Sequence, residues 1–299
     1  MKKHILAAAM FAMVATGATA QSGDTLAKIK ETGSITLGVR ESSGLGYTLG
    51  NGKYVGFHTE MAERIIEDIK QSLGMAKLDI KYQPVTSQNR IPLITNNSVD
   101  LECGSTTNNL ARQKEVDFAY TTYVEEVRIA TKADSGINSV ADLTGKTVAT
   151  TTGTTSVQTL RRHKRAENVD FKEVMGKDHA DSFLLLETGR ADVFVMDGSI
   201  LAANISKSRD PKAYKIVGEV LSVEPIACML RKNDEAFKAE VNKSIKRQIE
   251  DGSLAKLYDK WFLEPIPPAG AIVGLPASEA TRRAWAEPND RPMEDYKLD

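Results

Sequence analysis

Apolar positions along the chain recur at two spacings, and stretches of one kind alternate with stretches of the other. SITLGVR (34–40) is β-branched and apolar and predicts a buried strand, followed by the turn-rich ESSGLGYTLGNGKYVG. In HTEMAERIIEDIKQSLG (58–74), Met61, Ile65, Ile66 and Ile69 line one helical face, and Gly74 stands where the helix should end. KLDIKYQPV (77–85) alternates as a strand, SQNRIPLITNN predicts a short helix, and VDLECG (99–104) predicts a further buried strand. The order β-α-β-α-β is that of a mostly parallel sheet flanked by helices.

The order then restarts. GKTVATTTG (145–153) predicts a strand running into a loop, TTSVQTLRRHKR (154–165) a helix, VDFKEV (169–174) a strand, HADSFLLLETGR (179–190) a helix and ADVFVMD (191–197) a strand. NNSVDLECG and TGRADVFVMDG share one plan: a polar helix end, an aspartate, then an apolar strand. Two α/β lobes of similar design are expected. YKIVGEVLSVEPIACMLRK (214–232) leads into two amphipathic helices, DEAFKAEVNKSIKRQIEDG and SLAKLYDKWFLEP. From Pro265 on, the chain is Pro-rich and polar and predicts an irregular tail with one helical turn near 277–285.

Composition changes this picture little. The 299 residues hold 41% apolar and 26% charged residues, ordinary globular values, and 39 basic residues nearly balance 40 acidic ones, so no polyanion-binding footprint stands out. The start changes it more. MKKHILAAAMFAMVATGATA (1–20) has a basic head, an apolar core and a small-residue end, the pattern of a cleavable export signal. Its apolar run is too short to span a bilayer. Its removal takes two lysines and no acid, leaving a net charge of −3. Cys103 and Cys228 are the two cysteines. In an exported protein such a pair suggests a disulfide, with two buried thiols as the other reading.

In open α/β sheets ligands sit beyond the carboxyl ends of the strands. The residues following the predicted strands are Arg40; Ser87 and Arg90; Ser105, Thr107 and Arg112; the threonine-rich TVATTTGTTS with Thr155; His179; and Asp197. Any one of these has a plain explanation: hydroxyls and aspartates cap helices, and a lone arginine is usually solvated. Their accumulation at one edge of both sheets is what suggests an anion site. His58, at a helix start, reads as a cap, and His163, within RRHKR, as a solvated position. No GxSxG, HExxH or phosphate-binding loop is present, and the distant cysteines do not suggest zinc.

The chain resembles the periplasmic solute-binding proteins of amino-acid ABC transporters, type II fold, and among them those for glutamate and aspartate. TGSITLGVRESS, TSQNRIPLI, VDLECGSTTNNLARQKEVDFAYTTY, LTGKTVATTTGTTS, GRADVFVMD and IACMLRK carry the resemblance, which spans about residues 25–264. It implies a two-lobed α/β protein, with a first lobe of 21–124 and 223–264, a second lobe of 125–222, and a tail of 265–299. Two crossings near 124–128 and 218–226 would form the hinge. It further implies that Arg112 pairs with the ligand α-carboxylate, helped by Thr107 and Thr155. Asp197 and Ser105 would take the α-ammonium, while Arg40, Ser87, Arg90 and His179 would surround the side-chain carboxylate. A His179 carrying charge there would tighten binding as pH falls from about 8 toward 6. The resemblance places Cys103 beside Cys228 in the first lobe. It implies a periplasmic monomer that hands L-glutamate or L-aspartate to a membrane permease, with no cofactor, metal, nucleic acid or catalytic residue. An enzyme of the cyclohexadienyl-dehydratase kind on the same fold, and a ligand-sensing module, are the competing readings.

Overall fold

Strands that run the same way must be joined by crossovers, and the amphipathic stretches supply them. The computed structural model describes residues 24–296; the export signal predicted at 1–20 lies outside the described residues. Helix α1 (Thr25–Thr32) leads into β1 (Ser34–Val39), a hairpin of β2 (Tyr47–Gly50) and β3 (Lys53–Val55), and α2 (Phe57–Ser72). Next come β4 (Asp79–Pro84), α3 (Arg90–Thr95), β5 (Leu101–Glu102), α4 (Leu110–Gln113) and the long β6 (Val116–Lys132). The second series is β7 (Thr147–Thr151), α5 (Thr155–Ala166), β8 (Lys172–Gly176), α6 (His179–Glu187), β9 (Val193–Asp197) and α7 (Gly198–Lys207). The long β10 (Tyr214–Arg231) returns, followed by α8 (Glu235–Glu250), α9 (Ser253–Phe262) and α10 (Glu279–Ala286).

The sheet order is β4-β1-β5-β10-β6-β9-β7-β8. β4, β1 and β5 are mutually parallel, as are β9, β7 and β8. The antiparallel pair β6 and β10 runs through both sets, with Val116↔Arg231 at one end and Lys132↔Tyr214 at the other. Its register breaks between Val217 and Ser222 and again between Ile226 and Ala227. The first break lies beside the end of the β9 pairing; the second, with a further shift between Ala227 and Met229, lies just before the β5 pairing.

Burial separates the same way. One core holds Phe57, Met61, Ile65 and Ile69 of α2 against Ile35 and Leu37 of β1 and the aromatic side chains of α9. Tyr258 and Phe262 stack there with centroids 4.3 Å apart. Other cores pack Val127, Ile129, Val148 and Val193 in one cluster and Phe183, Phe194 and Leu201 in another, around the strands β9, β7 and β8. Each fully buried side chain of this size contributes about 1.5–3 kcal/mol. The result is the expected two-lobed α/β fold. β4, expected to alternate, is an edge strand and mostly exposed.

Cys103 and Cys228 form a disulfide, joining the residue after β5 to the adjacent β10. It closes a separation of 125 residues, and the chain-entropy estimate for such a loop is about 5 kcal/mol.

The tail departs from expectation. It contains α10, a full eight-residue helix, docked on β6. Thr281 Oγ1 accepts from the Val124 N–H at 3.1 Å, the Trp285 indole N–H donates to Thr122 O at 2.8 Å, and Asn289 O accepts from the Thr121 N–H at 2.8 Å. The physical reason is that β9 pairs with β6 only at Val127–Thr131, so among the described residues the same edge of β6 before Val127 has no strand beside it. The tail's polar sequence satisfies the backbone groups there.

Candidate functional site

The carboxyl ends of the two sets of strands face each other. From the first lobe come Arg40 after β1, Ser87 after β4, Arg90 at the start of α3, and Ser105 and Thr107 after β5. From the second come Thr155 opening α5, His179 opening α6 and Asp197 ending β9. The two sides touch. A Cβ on Gly153 would lie 2.8 Å from the Gln88 backbone, and one on Gly44 would lie 2.4 Å from Ser199 O. Gly153 also has φ 80, so both its backbone conformation and its close approach exclude a side chain. The cleft is closed.

Thr154, Asp178 and Asp197 occupy the N-cap positions of α5, α6 and α7, yet none caps its own helix with its side chain. Asp24, Asp234 and Ser278, away from the cleft, do cap theirs. The plain capping explanation therefore fails at these three positions: Thr154 bonds to Thr151 O, Asp178 to Arg40 and Ser42, and Asp197 Oδ1 has no partner.

Arg40 is 1% exposed. Its Nη1 donates to Ser87 Oγ at 3.1 Å and to Ser105 Oγ at 3.4 Å, and its Nη2 donates to Asp178 at 2.7 Å. The same Nη2 lies 3.0 Å from His179 Nε2. A guanidinium can only donate, so Nε2 is the bare, accepting nitrogen. The proton sits on Nδ1 and goes to Thr151 Oγ1 at 3.0 Å. Burial, and then the Arg40 charge, push the His179 pKa down to about 3. In the empty seam His179 is therefore neutral and accepts from Arg40; the charge expected of it belongs to a state with a carboxylate beside it.

Arg90 is also buried, and its Nη1 donates to Ser105 O at 2.8 Å. Burial, with Arg112 nearby, lowers its pKa well below the usual guanidinium range. Arg112 is half-buried and holds both flanking loops, donating to Thr107 O at 2.8 Å and to Gly153 O at 3.4 Å. Buried Nε atoms of Arg40 and Arg90 have no partner.

Opposite charge is present too. Asp197 is 2% exposed and its Oδ1 has no partner. Burial, then the charge of Glu224, push its carboxyl up to about 8. Glu224 is fully buried and accepts hydroxyl protons from Thr107 and Thr155, each at 2.6 Å, and from Ser222 at 2.8 Å. Glu125, paired with Glu224 across β6 and β10, accepts from the Ser199 N–H and hydroxyl; burial and then Asp197 raise its pKa well above the carboxylate range.

All nine residues singled out from the sequence line this closed seam, though Thr107 and Thr155 spend their hydroxyl protons on Glu224. Sequence reasoning missed Glu224, Asp178, Ser42 and Glu125. Asp178 immediately precedes His179, and Glu224 is a carboxylate inside the apolar run VEPIACML, a signal that was available. His58 is no cap: it is buried, with Nδ1 2.6 Å from Gly104 O and Nε2 2.9 Å from Thr122 Oγ1. His163 is only half exposed and reaches Leu221 O at 3.1 Å. Among the described residues no group of three or more His, Cys, Asp or Glu side chains is arranged to hold a metal.

A dry seam with arginines at two places and a buried carboxyl between them can hold a small molecule bearing two anionic groups and one cationic group. Residues 35–264 match the bacterial extracellular solute-binding proteins, family 3. A Pseudomonas aeruginosa protein described as an L-glutamate/L-aspartate-binding protein is 42% identical over 272 residues, covering 90% of each chain. An Escherichia coli glutamate/aspartate import solute-binding protein is 39% identical over 292 residues, covering 97% of each. The fold matches an ABC uptake transporter substrate-binding protein from Streptococcus pneumoniae with bound histidine, at TM-score 0.72 and 22% identity, over 81% of this chain and 98% of that one.

Proposed function

The chain belongs to the bacterial extracellular solute-binding proteins of family 3, and from that membership we propose that it captures L-glutamate or L-aspartate between its lobes and delivers it to an ABC importer. The observation that carries this is the set of buried, unsatisfied groups of both signs in one seam: Nε of Arg40 and Arg90 against Oδ1 of Asp197. Buried polar atoms of this kind want partners. An acidic amino acid supplies carboxylates for the arginines and an ammonium for the aspartate. Arg112 takes the α-carboxylate. Arg90, with Arg40 and Ser87, takes the side-chain carboxylate, and Asp197 with Ser105 takes the ammonium. The relatives at about 40% identity, described as glutamate/aspartate-binding, support the same ligand class.

The lobes are 21–124 with 223–264, and 125–222, and they swing about β6 and β10 where these strands pass between them. The protein works outside the cytoplasm as a monomer, without a cofactor, and is not an enzyme. Calorimetric titration with glutamate, aspartate, glutamine and asparagine tests the reading. Tight binding of the two acids and weak binding of the two amides is expected; preference for an amide, or no binding of either acid, overturns it.

One observation favours a second reading. The His179 and Asp197 pair could supply a general acid, since burial, then the charge of Glu224, push the Asp197 carboxyl up to about 8. Incubation with prephenate or arogenate, followed for an aromatic product, would reveal dehydratase activity.

A further inference from the structure

We infer that Glu224 is a positioning residue that sets the polarity of the ammonium subsite through Thr107 and Thr155. This deepens the proposed function and rests on it. Glu224 lies on β10, one of the two strands shared by both lobes, and is fully buried. Its Oε2 receives the hydroxyl protons of Thr107, from the first lobe, and Thr155, from the second, both at 2.6 Å. Its Oε1 receives the Ser222 hydroxyl at 2.8 Å. Three hydroxyl donors on one carboxylate make it an acceptor only.

A threonine hydroxyl carries a single proton and two lone pairs. Once both protons point at Glu224, neither hydroxyl has one left for an incoming carboxylate. They stand 3.3 Å apart and offer lone pairs. Lone pairs repel an α-carboxylate and accept from an α-ammonium. Glu224 therefore turns two side chains of ambiguous polarity into fixed acceptors, in the same seam as the unpartnered Asp197 Oδ1. Arg112 and the backbone N–H groups opening α5 are left to the α-carboxylate, a division of labour that separates the two ends of the amino acid. Glu224 touches one hydroxyl from each lobe, so the acceptor set is complete only when the cleft is closed.

A double-mutant cycle tests the inference on the whole protein. Affinity for L-glutamate is measured for wild type, Glu224→Gln, Thr155→Val and the double variant, with glutarate, which lacks the ammonium, as a second ligand by displacement. An amide at position 224 donates to one threonine and reverses its hydroxyl. Each single variant should lose about tenfold to a hundredfold in L-glutamate affinity. The double variant should lose little more than either single one, because both changes remove the same acceptor. The preference for glutamate over glutarate should shrink in Glu224→Gln. Losses that multiply in the double variant, an unchanged glutamate affinity in Glu224→Gln, or equal loss for both ligands would overturn it. Thr107→Val with Glu224→Gln repeats the cycle from the other lobe if the first pair folds poorly. Failure of wild type to bind any acidic amino acid would instead strike the functional reading itself.

Discussion

Ser42 caps a helix that belongs to the opposite lobe: its Oγ accepts the Ala180 N–H of α6 at 3.1 Å and donates its own proton to Asp178. Asp178 occupies the N-cap position of α6 but does not cap it, pairing instead with Arg40 at 2.7 Å. In the closed cleft the cap of α6 is thus supplied from across the two lobes.

Ser42→Ala removes the borrowed cap without touching the ligand. It should weaken acidic amino-acid binding by roughly fivefold to thirtyfold, the cost of one or two hydrogen bonds near a charge. Small-angle scattering of the unliganded protein should shift toward the open shape. An affinity within twofold of wild type would mean that the latch adds nothing to closure.

The pH dependence of binding separates two residues. Asp197 is held up to about 8 in the closed, empty seam, so it is protonated at neutral pH. An ammonium stabilises the ionised form, and binding expels the proton. Affinity should therefore rise with pH, by as much as tenfold per unit between about 6 and 8, and level off above. A charged His179 would give the opposite slope. In the empty seam the His179 pKa is held down to about 3, so His179 starts neutral, and a rising profile assigns the titration to Asp197. Titrations at pH 6, 7 and 8 in two buffers of different ionisation enthalpy would read the released proton directly. A flat or falling profile would contradict the protonated Asp197.

Reduction of Cys103–Cys228 should lower stability by up to about 5 kcal/mol, the loop-entropy estimate. Ligand affinity should change little, because both cysteines belong to one lobe's sheet and the bridge does not span the cleft. Urea unfolding with and without reductant, with a calorimetric titration of each form, checks both halves of the statement.

His58 should make the protein acid-sensitive. Burial depresses its pKa to about 4, against about 6.5 when unfolded. The unfolded chain then binds the extra proton first, and stability falls as pH drops from about 6.5 to 4. The loss is of the order of 3 kcal/mol. Unfolding midpoints measured from pH 7 to 4 in wild type and His58→Gln should converge as the pH falls. Parallel lines would show that another group sets the acid limit.

The strand-end rule found the arginines and hydroxyls because each directly follows an apolar run that the eye can see. It missed Glu224, which sits inside such a run, where a carboxylate is read as an exposed strand position. Nothing local says that Thr107 and Thr155, 48 residues apart, converge on it. It missed Asp178 because an aspartate before a helix is most simply a cap. His58 was misread for the same reason: the Gly104 and Thr122 partners that bury it are distant in sequence. The tail looked irregular because its partners lie along an edge of β6 that no described strand covers, and an uncovered edge leaves no mark in the tail's own composition.

β10 stands in the middle of the sheet, between β5 and β6, yet it is the last strand of that sheet to be made. Until residues 214–231 are in place, β5 and β6 lack the strand between them, Cys103 has no partner, and neither lobe is whole. A chain cut short before that point should display two open strand edges and be a substrate for chaperones and proteases. One late segment completes both lobes and brings Glu224 to them, so a partly made molecule cannot acquire a working half.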